Sequence, residues 1–173
     1  MAFLRWILVA FPGMGSSLSN QPVPALDLKR YAGVWHEMAH LPLRFERQCI
    51  GDVTATYTVN ADNTVLVRNA CRTRNGAKSV ATGVARLGHA PGALKVSFAP
   101  RWLGWIPWVW ADYWVVDVDP DYQWAVVGGP SKKYLWVLSR APTMPTALFK
   151  QLTQRAAARG YPIDKLIMTA PLQ

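Results

Sequence analysis

The residues that could carry out chemistry in this 173-residue chain are few and scattered. Their sole cluster is His36, Glu37 and His40, within a run that reads as a β-strand. On a strand the two histidines face away from Glu37 and lie about 13 Å apart, whereas a zinc site of this spacing needs a helix. They are therefore interpreted as surface histidines. His89 stands alone in a turn, and the sequence predicts no enzyme, no metal and no cofactor.

The two cysteines, Cys49 and Cys71, leave two interpretations open. They form one disulfide in an exported protein, or they are buried thiols in the cytosol. The N-terminus favours export, because Arg5 precedes a short apolar run, a proline and small residues, the layout of a secretory signal. We therefore predict a signal-like or membrane-associating segment over residues 1–20, one domain over 21–173, and a periplasmic or outer-membrane location.

The charge and the aromatic content point to two classes of partner. Lys and Arg outnumber Asp and Glu by 19 to 10, and there are nine tryptophans. Single-stranded nucleic acid and an anionic membrane both suit such a composition. The basic residues are scattered, however, and the Trp-rich segment over residues 99–110 carries only Arg101. A membrane surface is therefore the favoured partner, and nucleic acid is not expected.

Short β-rich runs separated by turn residues predict eight strands, over residues 34–41, 52–59, 64–71, 78–87, 93–98, 110–118, 123–128 and 134–140. Eight consecutive strands indicate an all-β fold, an antiparallel up-and-down barrel whose closure removes exposed edges. Such a barrel can hold one small ligand, and the small residues Ala55, Gly83 and Ala85 leave room for it.

One α-helix follows the strands and is expected to pack outside the barrel. Leu148, Leu152 and Ala156 form its apolar stripe, Thr143 is its predicted cap, and Gly160 is its predicted C′ residue.

Three segments resemble the signatures of lipocalins. They are the Gly-x-Trp run that contains Gly33 and Trp35, the segment beginning at Asp112 and Tyr113, and the last strand ending at Arg140. Residues 43–47, 53–57 and 93–98 resemble, more narrowly, the bacterial outer-membrane lipocalins and their apolipoprotein D-like relatives. The resemblance runs from about residue 26 to the C-terminus. It implies fatty acids or lysophospholipids as ligands, and a role in lipid storage, transport or envelope repair.

The resemblance also raises the question of anchoring. Outer-membrane relatives are usually attached through a cysteine after a Leu-x-Ala-like box, and Phe11 stands where that cysteine would be. Two alternatives remain: a soluble periplasmic chain, or an uncleaved segment that holds the membrane.

Strand direction assigns residues to the two ends of the barrel. Trp35 begins the first strand and Arg140 ends the eighth, so both lie at one end, where a cation–π pair would plug the barrel. The loop over residues 99–110 then lies at the open end. It is predicted to line the mouth or contact a membrane, with an inward lid or core element as the alternative.

The predicted ligand-binding residues are Glu37, Tyr57, Leu94, Val96, Phe98, Trp102, Trp105, Trp110, Tyr113, Val115, Trp136 and Leu138. Glu37 would be a buried carboxylate that orients a polar headgroup or pairs with an internal tyrosine. A disulfide between Cys49 and Cys71 would need a bulge or an extended loop before Asp52. The predicted function is binding and storage or transport of a small hydrophobic ligand. A lipid-acting enzyme-like lipocalin and a nucleic-acid-binding barrel are the alternatives, and a homodimer is left open.

Overall fold

The computed structural model describes residues 17–43 and 47–173. Its central feature is a closed antiparallel barrel, because β1 pairs with β2 on one side and with β8 on the other. The strands are β1 (Gly33–His40), β2 (Cys49–Val59), β3 (Val65–Thr73), β4 (Lys78–Ala90), β5 (Ala93–Ser97), β6 (Ala111–Val118), β7 (Trp124–Gly128) and β8 (Trp136–Ser139). A ninth strand, β9 (Ile167–Met168), adds to β1 at Ala39 and His40. The predicted fold class is confirmed.

Two α-helices flank the strands, α1 (Leu28–Tyr31) before β1 and α2 (Thr146–Ala158) after β8. The apolar stripe of α2 is confirmed, since Leu152 and Ala156 are buried against the barrel. Gly160 follows the helix with a positive φ, as predicted for a C′ residue. The predicted cap is wrong. Pro145 occupies the N-cap position without a side-chain bond, and the Thr143 hydroxyl instead accepts a hydrogen bond from Gln173.

The core has two parts, one inside the barrel and one between the barrel wall and α2. Strands near the helix therefore bury both faces. Met38 and His40 point outward from β1 and are nonetheless 0% and 5% exposed. The prediction that His40 is a surface histidine is wrong, because β9 and the residues after it run along this part of β1.

An ion-pair cluster joins α2 to the outer wall. Asp117 on β6 is buried and forms ion pairs with Arg155 at 2.9 Å and with Arg159 at 3.9 Å. Burial raises the pKa of the Asp117 carboxyl despite both arginines. The pairs hold the helix beside the barrel and away from its interior.

Arg140 closes one end of the barrel, and the predicted pairing with Trp35 is confirmed. Its guanidinium lies 3.8 Å from the centre of the Trp35 ring and donates to the backbone oxygens of Arg30, Ala32 and Val34. Gly33 makes room for it. Its φ is +99°, and a Cβ there would lie 3.2 Å from the Arg140 Nη1 atom. The N-terminal helix, the first strand and the last strand therefore meet at one side chain.

Replacing Arg140 with alanine should lower the free energy of unfolding by roughly 2–4 kcal/mol, because the cation–π contact and several charged hydrogen bonds are lost together. Thermal and urea unfolding measure this. Arg68→Ala, on the exposed outer face of β3, is the matched control and should change stability little. Equal stability of the two variants would contradict the role assigned to Arg140.

The predicted disulfide between Cys49 and Cys71 is present, with its Cα atoms 5.6 Å apart. The expected irregularity is present too. The pairing of β2 with β3 shifts register between Cys49 and Gly51 and again before Thr54. Asp52 lies in this stretch with φ +54° and pairs with Arg72 at 2.7 Å. The bulged start of β2 is what brings the two cysteines together.

Reducing this disulfide should lower the free energy of unfolding by about 3 kcal/mol, the loss expected when a loop of this length is released. Unfolding with and without reductant measures the loss. Alkylation of both thiols without prior reduction, or unchanged stability after reduction, would contradict the cross-link.

Candidate functional site: the barrel cavity and its mouth

The barrel encloses a cavity of about 640 Å³, within the range of roughly 300–1,000 Å³ usual for small-molecule sites. It opens at the end opposite Arg140, since its lining reaches Leu43 and Gln48 between β1 and β2, and Ala99 and Val109 between β5 and β6. Apolar side chains dominate the wall, and small ones keep it wide: Ala55, Ala70, Ala81, Ala99 and Ala111.

Seven predicted ligand-binding residues line this cavity: Glu37, Tyr57, Val96, Phe98, Tyr113, Trp136 and Leu138. The other five do not line it. Leu94 borders a separate small void beneath it, and Val115 is fully buried in the core below. Trp102, Trp105 and Trp110 lie outside the cavity, in the loop between β5 and β6.

The wall formed by β3 and β4 was not among the predicted site residues. Val67 and Asn69 of β3 line the cavity, and so does Ala81 of β4, which lies opposite Asn69. The period-two alternation of Val65, Val67 and Asn69 is the signal that marks this inner face. Gly83 belongs to the same wall. A Cβ there would lie 2.7 Å from the ring of Phe98, so glycine lets that ring lie against the strand.

Three tyrosine hydroxyls form the floor of the cavity. Tyr57 on β2 and Tyr113 on β6 reach from opposite walls and meet with their oxygens 2.8 Å apart. Tyr31 joins from α1, 2.7 Å from the Tyr113 oxygen. Burial raises the pKa of all three, so the hydroxyls stay neutral and act as a hydrogen-bonded bar. The void beneath the bar is about 10 Å³, roughly room for one water.

Replacing Tyr113 with phenylalanine should cost roughly 1–3 kcal/mol of unfolding free energy, because the buried hydroxyls of Tyr31 and Tyr57 both lose their partner. Tyr31→Phe is the graded control, since it removes one hydroxyl and leaves the other two paired. Urea unfolding compares them. Equal losses in the two variants would contradict the hydrogen-bonded bar.

A few polar groups interrupt the apolar wall. Glu37 lies on β1 and is 5% exposed. Burial is the main cause of the raised pKa of Tyr57, and the negative charge of Glu37 raises that pKa further. Near the opening, the Tyr134 hydroxyl donates to the backbone oxygen of Asp112 at 2.8 Å, and burial raises the pKa of Tyr134 to about 12. The cavity therefore suits a ligand with an apolar body and few polar groups.

The loop between β5 and β6 is folded and strongly apolar. Two single-turn 3₁₀ helices, Arg101–Leu103 and Pro107–Val109, shape it. Trp110 fixes its base, because its indole N–H donates to the oxygen of Gly104 at 2.8 Å and Arg86 stacks on its ring at 4.0 Å. Trp102, Trp105 and Trp108 are 73%, 79% and 82% exposed. The alternative that these three fold inward as a lid or core element is wrong.

Two further features bear on function. Among the described residues, no group of three His, Cys, Asp or Glu side chains is close enough to hold a metal ion. Within the same part of the chain, the helices are too short and too polar to cross a membrane.

Comparison with known proteins gives consistent matches. A family model described as a Lipocalin-like domain matches residues 26–171. Temperature-induced lipocalin-1 of Arabidopsis thaliana is 42% identical over 151 residues, which cover 85% of this chain and 80% of that protein. Outer membrane lipoprotein Blc of Escherichia coli K12 is 36% identical, with 82% and 77% covered. Insecticyanin from the tobacco hornworm Manduca sexta superposes with a TM-score of 0.64 at 23% identity, over 93% of this chain and 88% of that one.

Proposed function

Because this chain belongs to the lipocalin family, a family of binding proteins whose members take small hydrophobic ligands, we propose that it stores or transports a fatty acid or a lysophospholipid. The observation that carries the proposal is the cavity of about 640 Å³, sealed at one end by Arg140 and Trp35 and open at the other. One acyl chain suits this cavity, because the wall is mostly apolar and offers few hydrogen-bonding groups to a polar headgroup.

The polar groups of the wall support entry of the ligand tail first. Glu37 places a carboxyl group inside the cavity, and its negative charge disfavours an anionic or phosphate headgroup buried beside it. The acyl tail therefore points towards the tyrosine floor, and the headgroup stays at the mouth. Glu37 and Asn69 are then neighbours of the chain rather than of the headgroup.

The cell envelope is the proposed location, with the mouth of the cavity against a membrane surface. Relatives from enteric bacteria are named outer membrane lipoproteins, and a disulfide suits an oxidising compartment. The predicted signal-like segment and Phe11 lie outside the described residues, apart from residues 17–20. Residues 18 and 20 hydrogen-bond to the domain, at Ala158 and Gly129.

Replacing Ala81 with phenylalanine should weaken binding of lysophosphatidylcholine at least about ten-fold, because the ring would fill the cavity. Thr82→Phe is the matched control. It adds the same ring at the next residue of β4, on the outer face, and should bind as the wild type does. A titration below the micellar concentration, followed by tryptophan fluorescence, measures both.

Two outcomes would contradict the proposal. One is unchanged affinity in Ala81→Phe, which would place the lipid outside the cavity. The other is fluorescence quenching by a single-stranded oligonucleotide and none by the lysophospholipid, which would favour the nucleic-acid alternative.

A further inference from the structure

The two ends of the barrel carry different charge among the described residues. The connections and strand starts at the open end hold five basic residues that form no ion pair with another described residue: Arg47, Arg74, Lys78, Lys132 and Lys133. Two acidic residues near that end, Asp52 and Asp112, are paired with Arg72 and Lys95. The connections at the closed end hold the acids Asp27, Asp62, Asp119 and Asp121, beside Lys29, Arg30 and Arg140. The described residues therefore give a net positive charge at the open end and a nearly balanced charge at the closed end.

One basic residue of the open end is left out of this set. The hydrogen bond from Thr64 lowers the pKa of Asp62, and Arg101 adds to that effect. Arg101 therefore lies close enough to Asp62 for these two charges to offset each other. The asymmetry rests on the other five residues.

The exposed tryptophans belong to the same end as the basic residues. Trp102, Trp105 and Trp108 expose most of their surface, and residues 98–110 include no acidic side chain. Indoles combine a large apolar body with one N–H donor, which suits the boundary between lipid headgroups and acyl chains. The 3₁₀ turns and the Trp110 hydrogen bond to Gly104 hold the loop in shape without covering these rings.

We propose that the open end docks on an anionic phospholipid bilayer, with the three tryptophans in the headgroup region and the basic residues facing lipid phosphates. The inference deepens the proposed function and rests on it for its purpose, since docking would present the cavity to the membrane that supplies or receives the lipid. Charge complementarity selects the partner. An anionic surface attracts the basic open end more strongly than the nearly balanced closed end, so the same field that draws the protein in also orients it.

The experiment is co-sedimentation with vesicles of phosphatidylcholine alone or mixed with phosphatidylglycerol, at low and high salt. The wild type should bind the anionic vesicles more tightly, with binding weakened by salt. Lys78→Gln with Lys133→Gln should weaken binding to anionic vesicles roughly 25-fold, about five-fold for each lysine. Lys29→Gln with Lys150→Gln removes the same charge away from the open end and should change binding less than about two-fold.

A second variant tests the apolar part of the surface. Trp102→Ser, Trp105→Ser and Trp108→Ser combined should abolish binding to both kinds of vesicle. Equal binding to the two lipid compositions, or equal effects of the two lysine pairs, would overturn the proposal. So would a stable dimer that the tryptophan variant dissociates, with vesicle binding retained, because a second copy would then cover the surface.

A second measurement distinguishes failure of the docking proposal from failure of the proposed function. Titration with lysophosphatidylcholine in the absence of vesicles tests the cavity alone. Ala81→Phe should lose that binding and still sediment with anionic vesicles. A wild type that binds the monomeric lipid and ignores vesicles would overturn only the docking inference.

Discussion

The contact between Arg140 and Trp35 is the interaction on which the rest of the barrel depends. It joins the end of the last strand to the start of the first, and its hydrogen bonds tie the N-terminal helix across the same opening. Because this end is sealed, ligand access is confined to the other end. The connections between β1 and β2 and between β5 and β6 thereby become the mouth of a cavity rather than ordinary surface loops.

The aromatic residues divide according to what surrounds them. Near the seal, Tyr31, Trp35, Tyr57 and Tyr113 form a continuous series of ring contacts whose polar atoms are hydrogen-bonded, as burial requires. At the mouth, three tryptophans leave their rings in water. The first group makes a rigid floor. The second group forms an exposed surface of apolar rings with N–H donors, which suits contact with a partner that has apolar and polar layers.

Much of this architecture could be predicted from the sequence, because strand periodicity, turn residues and strand direction are local signals. Alternation identified Val96 on the inner face of β5 and Phe98 directly after the strand, and both line the cavity. Alternation does not give the position of a residue along the axis of a tilted barrel. Leu94 and Val115 therefore face inward, as predicted, yet lie below the tyrosine floor. The burial of His40 depends on β9, and the position of Trp110 depends on Gly104 and Arg86. Neither is a local property of the sequence.

The proposed function requires that one lipid chain occupies the barrel from its open end. Native mass spectrometry of the protein equilibrated with a lysophospholipid tests it most directly, because it counts bound molecules without relying on fluorescence from nine tryptophans. We predict a single adduct of one lipid per chain, present in Thr82→Phe and missing in Ala81→Phe. Adducts of increasing lipid number that do not distinguish these two variants would contradict it.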